Sequence, residues 1–284
     1  MGDAPSEDRG EPHAEGERRP ISFLAAAAWT IGLMLLGAVA LQITEHLRPG
    51  ADGDLVNYTA CHVLVHSLVL FAMLRVYAPS TSVRAALGLR AVSPLHVILA
   101  AVAGAAIHPA IASLDALVQA KFPPPPEELE AVAKLLSTNM HGSRAVIAVV
   151  LVLVLPVTIE LFFRGMLYGG VKRGRTSGMA MLATTIYFMS SQEPREMLGA
   201  FVLGLALVWL RAQSGSVASS IAAHVAFSAV PVMPILRGAD PMSEMVYPVR
   251  WAAAGVAIAL VALLAARAVA LRDERAAAGT RDDE

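Results

Sequence analysis

The stretch Arg144-Ala-Val-Ile-Ala-Val-Val-Leu-Val-Leu-Val-Leu-Pro-Val-Thr-Ile-Glu-Leu-Phe-Phe-Arg164 decides how this chain is read. Residues 145–159 are apolar apart from Thr158, and a carboxylate and a guanidinium then follow four positions apart. A helix that crosses a bilayer needs about 20 mostly apolar residues, whereas a surface helix of a soluble protein keeps one polar face. This stretch has no polar face. Ionisable groups at membrane depth are expensive, so Glu160 and Arg164 invite a functional reading. They also share a helix face, in the favourable Glu-before-Arg order. A structural ion pair that neutralises both charges fits the spacing equally well.

Seven further runs qualify or nearly qualify as spans: Ile21–Ile43, about Ala60–Val76, about Leu95–Val118, about Gly178–Ser191, about Met197–Leu210, Val217–Leu236 and Trp251–Leu271. The expected fold is therefore all-α, a polytopic membrane helical bundle of about eight transmembrane helices. The runs at 178–191 and 197–210 are short. Short apolar runs are more often core or re-entrant helices, so both are expected to be shielded by neighbours. Composition agrees: of 284 residues, 56% are hydrophobic and 16% charged, with mean hydropathy +0.59. Soluble domains carry about one quarter charged residues. A net charge of −1 leaves no electrostatic footprint for nucleic acid. Cys61 is the single cysteine, which excludes an intramolecular disulfide and a cysteine-based metal site.

Residues 1–20 are rich in Asp, Glu, Arg, Gly and Pro without apolar periodicity, and are expected to form a disordered tail. Residues 21–271 form the expected membrane domain, and residues 272–284 a charged C-terminal tail. With eight spans and the N-terminus in the cytoplasm, Lys and Arg on inside segments outnumber those on outside ones by about two to one. The positive-inside rule then favours a multi-pass cell-membrane protein with both termini cytoplasmic. Phe122-Pro-Pro-Pro-Pro126 reads as a stiff elbow. It leads into Glu127–Thr138, which reads either as an amphipathic interfacial helix or as a plain loop. Ser80–Pro94 reads as an interfacial segment on the inner side.

Other polar groups interrupt the spans. Gln192 and Glu193 follow Phe188, and His224 lies one turn before Ser228. His62 and His66 share a face of the second span, and the third carries His108 and Asp115. Two histidines at i, i+4 can bind a metal, but a third ligand is not indicated. No metal or cofactor is expected. A lone membrane histidine such as His224 ordinarily makes a hydrogen bond between helices.

Val157-Thr-Ile-Glu-Leu-Phe-Phe-Arg-Gly165 resembles the first signature of the CPBP family, Glu-Glu-x-x-x-Arg. That family comprises the type II CAAX prenyl proteases and the bacteriocin-processing and immunity proteins. Its second signature is Phe-x-x-x-His and its third His-x-x-x-Asn or His-x-x-x-Asp. The resemblance runs in the right order over residues 144–236, helped by Gly204, Leu210-Arg211 and Ser214-Gly215-Ser216.

The departures matter more. Aligned on Phe163-Arg164-Gly165, the leading glutamate is Ile159, and Glu160 is the survivor. Aligned on Phe188, the second-motif histidine is Gln192. His224 is kept, but the amide position after it is Ser228. In active relatives the resemblance implies a leading glutamate that, helped by histidine, activates water, while the third motif stabilises the oxyanion. Isoleucine accepts no proton, glutamine does not titrate as histidine does, and serine is shorter than asparagine. Losing a general base costs about 10²–10⁴-fold and losing an oxyanion donor about 10²–10³-fold.

The expectation is a CAAX-protease-like membrane protein with a decayed catalytic set. It would bind a membrane-anchored protein or peptide, or assist an active paralogous protease, in processing or sorting. An alternative is an active endopeptidase with a rearranged site using Glu160, Glu193 and His224. A small transporter is a third reading. Glu160 lies about 100° round the helix from Ile159, which works against its serving as the base.

Overall fold

The computed structural model describes residues 18–127, 129–130, 144–237 and 247–279. Among them there is no strand. The chain forms α1 (Phe23–Leu47), α2 (Leu55–Tyr77), the short α3 (Val83–Ala86) and α4 (Pro94–Lys121). A long rod, α5, covers 144–174, followed by α6 (Ser177–Ser190), α7 (Met197–Ser214), α8 (Val217–Leu236) and α9 (Val249–Gly279). Polar side chains start these helices by satisfying first-turn N–H groups. Ser22 accepts from Ala25, Asp54 from Val56 and Asn57, Thr176 from Met179, and Ser216 from Ala218. Gly215 ends α7 with φ of +66°, a conformation that a Cβ disfavours.

Seven of these helices are long and apolar enough to cross a membrane. The chain is thus a multi-pass membrane helical bundle. The eighth expected span, α6, has 14 residues and rises about 21 Å, short of a bilayer core of about 30 Å. It packs against α7, the end of α5 and α1. Its neighbour α7 is longer than expected, 18 residues reaching Ser214, because Arg211 is buried and does not end the helix. The helix α9 likewise runs past Leu271 to Gly279, so the first part of the expected C-terminal tail is helical. The reading of residues 1–20 falls outside the described residues except for 18–20, as does most of Glu127–Thr138.

The largest correction concerns α5. The sequence reading ended this span at Arg164, but the apolar helix runs over Val149–Gly174. Arg164 therefore sits near mid-span. The cause is charge pairing: a guanidinium neutralised by its own helix no longer terminates a span, and Lys172 and Arg173 do so instead. The rod is not uniform. Val149–Val154 and Leu161–Leu167 are wound as π-helix around the α-helical Leu155–Glu160. Pro156 lacks an N–H for the ladder, and π-bulges recur at functional sites.

The helix α4 is the spine of the second half and packs most extensively on α9 and α8. Close approach depends on glycine. A Cβ on Gly104 would overlap the backbone carbonyl of Ala223, the residue before His224, and one on Gly255 would overlap the Ala106 carbonyl. Such small-residue contacts are how helices pack where apolar lipid removes the hydrophobic drive.

Candidate functional site

The deepest polar cluster is built by α5, α7 and α8. Glu160 Oε1 accepts a hydrogen bond from Arg164 Nη1 at 2.8 Å and lies 2.9 Å from His224 Nδ1. Glu160 and Arg164 are fully buried and His224 is 7% exposed. A carboxylate only accepts, so His224 donates from Nδ1 and presents Nε2 to the other side. Arg164 Nη2 donates to the carbonyl of Gly204 at 3.3 Å, and its guanidinium lies 4.3 Å from the centre of the Phe188 ring. Phe188 also meets the His224 ring edge-on, 6.1 Å between centres. Gly204 is needed here, since a Cβ would come within 3.0 Å of Thr185 and 3.1 Å of Phe188. Arg211 Nε donates to the backbone carbonyl of Arg164 at 3.2 Å and ties α7 to the π-wound turn.

The cluster is not fully satisfied. Glu160 Oε2 and Arg164 Nε are buried without a hydrogen-bond partner among the described residues. A buried polar atom left unpaired costs about 1–3 kcal/mol, more when charged.

Beside the cluster is a cavity of about 370 Å³ between α1, α2, α5 and the end of α6. Ile159, Phe163 and Gln192 form one wall, and Tyr58, His62 and His66 another. Glu160, Arg164 and His224 do not line it. The two positions that the resemblance makes the water-activating pair, 159 and 192, therefore do share one cavity. They fill it with a methyl-bearing chain and an amide. Gln192 Nε2 donates to Ser191 Oγ at 2.9 Å and to the Phe188 carbonyl at 3.4 Å, back onto its own helix end. Glu193 is exposed on the turn after α6, outside the cavity lining, and Ser228 is half-buried one turn beyond His224.

Sequence reasoning missed that α2 supplies the opposite wall. The signal was present in the i, i+4 histidines, but nothing local says that α2 faces α5. His66 Nδ1 donates to the carbonyl of His62 at 2.9 Å, which leaves the lone pair of its neutral ring on Nε2. The His62 and His66 rings stack with centres 3.8 Å apart and planes 25° apart. Stacked rings, one already bonded to backbone, do not converge on a common ion. Among the described residues no group of three His, Cys, Asp or Glu side chains is placed to hold a metal. His108 packs edge-on against Phe227 at 4.9 Å, and Asp115 lies against Gly199. Neither lines this cavity.

These features define an all-α polytopic membrane protein with a buried Glu–Arg–His cluster beside a histidine-walled cavity. Residues 141–230 match the Rce1-like family model, described as type II CAAX prenyl endopeptidase. The match covers about a third of the chain and spans every motif position from Ile159 to Ser228, so this stretch is similar to the kernel of a CPBP-family membrane protease and supports that reading. No curated protein and no solved structure was found to match.

Proposed function

We propose that this CAAX-protease-like membrane protein is non-catalytic, and that it holds a membrane-anchored protein or peptide without cutting it. One observation carries the reading. The surviving carboxylate, Glu160, is bonded on one oxygen by both Arg164 and His224 and is absent from the cavity wall, while Ile159 and Gln192 line it. A general base must come within about 2.6–3.2 Å of the water it activates, and neither cavity-lining residue is such a base. Apart from Tyr58, His62, His66, Ser191 and Gln192, the rest of the lining comes from apolar or weakly polar residues of α1, α2 and α5, which suits a segment drawn from the bilayer. The role that follows is a partner in processing or sorting, acting alone or beside an active paralogous protease in the cell membrane. Both termini face the cytoplasm in this proposal. Arg19 N–H meets the Tyr77 carbonyl at 2.8 Å, and His96, at the start of α4, meets the Ala266 carbonyl at 3.0 Å, which brings the two ends toward one side.

The test replaces Glu160, Glu193 and His224 by Ala, one at a time, in cells where processing of an anchored substrate is scored. Unchanged processing in Glu193→Ala and His224→Ala, and in Glu160→Ala compared at a matched membrane level, supports the reading. Loss of processing in one variant, with its membrane level intact, contradicts it.

One observation favours an active protein with a rearranged site. His66 lines the same cavity with its Nε2 lone pair uncommitted to Nδ1–H bonding, so it could accept a proton where Ile159 cannot. On that reading His66→Ala abolishes cleavage.

A further inference from the structure

A second cavity, of about 320 Å³, lies at the ends of α5 and α7 beneath the α3–α4 connection. Arg18, Arg90, Lys172, Arg173 and Arg211 line it, with Tyr168, and no carboxylate is among its lining residues within the described part of the chain. We propose that this cavity binds a phosphate anion, carried either by an anionic lipid headgroup or by a soluble phosphate.

The positive-inside tendency accounts for cations on this face of the membrane. It does not account for their convergence on one cavity, nor for a guanidinium as deeply placed as Arg211, which is 9% exposed. Even with Arg173 left aside, the like charges of Arg18, Arg90, Lys172 and Arg211 gathered in a partly desolvated space repel unless an anion joins them. The cavity is also constructed. Gly88 has φ of +67°, and a Cβ there would overlap the Arg211 guanidinium, so this glycine makes the room that Arg211 occupies. The Gly88 carbonyl accepts from Val217 N–H at 3.0 Å and the Arg90 carbonyl from Ser216 Oγ at 2.7 Å, which fastens the connection to the α7–α8 turn. The Tyr168 ring lies under both Lys172 Nζ, at 5.8 Å, and Arg211 Cζ, at 5.7 Å. Arg18 Nε is buried with no partner among the described residues. A guanidinium fork with a second cation suits phosphate oxygens.

The geometry gives the site a consequence. Arg211 reaches the cavity and also holds the Arg164 carbonyl, so an anion bound here steadies the turn that carries the buried cluster.

The experiment uses the full chain in nanodiscs of neutral phosphatidylcholine, titrated with inorganic phosphate, and in nanodiscs that also contain phosphatidylglycerol. Thermal midpoint and calorimetric binding are read at constant ionic strength. Stabilisation by inorganic phosphate supports the site with a soluble ligand, and stabilisation by phosphatidylglycerol alone supports it with a headgroup. Arg90→Gln and Lys172→Gln, both exposed and tolerant of change, are each expected to weaken binding about tenfold or more. Arg175→Gln, which removes a nearby exposed charge outside the cavity, is expected to have little effect. No response in either arm overturns the proposal. So does equal weakening by Arg90→Gln and Arg175→Gln, the mark of a diffuse surface field. A loss of stability in Glu15→Gln or Glu17→Gln, with no response to phosphate or phosphatidylglycerol, also overturns it, because the chain's own carboxylates would then be the occupant.

Discussion

Glu160 and His224, 64 positions apart in sequence, meet at 2.9 Å through one carboxylate oxygen that Arg164 also holds. That shared oxygen joins α5 to α8 at the centre of the bundle. Removing the carboxylate leaves a guanidinium buried without its partner. Breaking a buried pair in this way costs about 3–5 kcal/mol. Glu160→Leu is therefore expected to lower the unfolding midpoint in detergent sharply, and Glu160→Leu with Arg164→Leu to recover much of the loss. A double variant no more stable than the single one would show that the charges are not coupled.

Helix spacing gives a second prediction. Gly104→Ala sets a Cβ against the Ala223 backbone, where neither helix can yield by a side-chain rotation. Overpacking of this kind costs about 1–3 kcal/mol. Gly37→Ala, with nothing within 4 Å of the new Cβ, is the matched control and is expected to be neutral or slightly stabilising. Thermal unfolding of the two variants separates them. Since Ala223 precedes His224, Gly104→Ala should also perturb the His224 ring signals by NMR.

Much of this architecture was legible before any coordinates. Apolar runs located the helices, and the i, i+4 spacing put Glu160 and Arg164 on one face. The span end was misplaced because a run of apolar residues is counted to the first charge, and a charge neutralised within its own helix does not end a span. The short α6 was readable from its length. What local pattern could not supply is which helices face each other. His62 and His66 lie about 93 to 97 positions before Ile159 in sequence, yet share its cavity. Burial of the Arg211 guanidinium was not legible either, because it depends on Gly88, far away in the chain.

The pH response of α2 follows from Asp54, which lies before the span. Its carboxylate caps Val56 and Asn57 at 2.9 and 3.2 Å and pairs with Arg48 at 3.0 Å. Burial by itself would raise its pKa, but the backbone donors and Arg48 outweigh that and hold it below the usual carboxylate value. A depressed folded pKa means the stabilisation is present above the unfolded value of about 3.9 and is lost as pH falls through the folded one. Asp54→Ala should cost about 0.5–2 kcal/mol at neutral pH. Asp54→Asn should keep most of the cap and lose the acid sensitivity. Acid titration of thermal midpoints checks both.

Access to the first cavity can be mapped chemically. With Cys61→Ala as background, Ile159→Cys and Gln192→Cys should react with a small membrane-permeant maleimide, because both positions line the cavity. Thr184→Cys, at a fully buried position outside it, should not. Equal labelling at all three positions would mean that the cavity wall is not as described.

The most direct measurement of the non-catalytic reading places a photo-crosslinking amino acid at Gln192 and supplies a membrane-anchored candidate substrate in reconstituted vesicles. The variant with Ile159→Glu, Gln192→His and Ser228→Asn is assayed in parallel without the crosslinker. The account predicts that the crosslinked adduct carries the uncut substrate and that native protein releases no fragment. Fragment release by the restored triple variant would show a cavity still able to present the substrate for attack. A cleaved fragment released by the native chain, and lost in His66→Ala or His224→Ala at unchanged membrane level, would contradict the account.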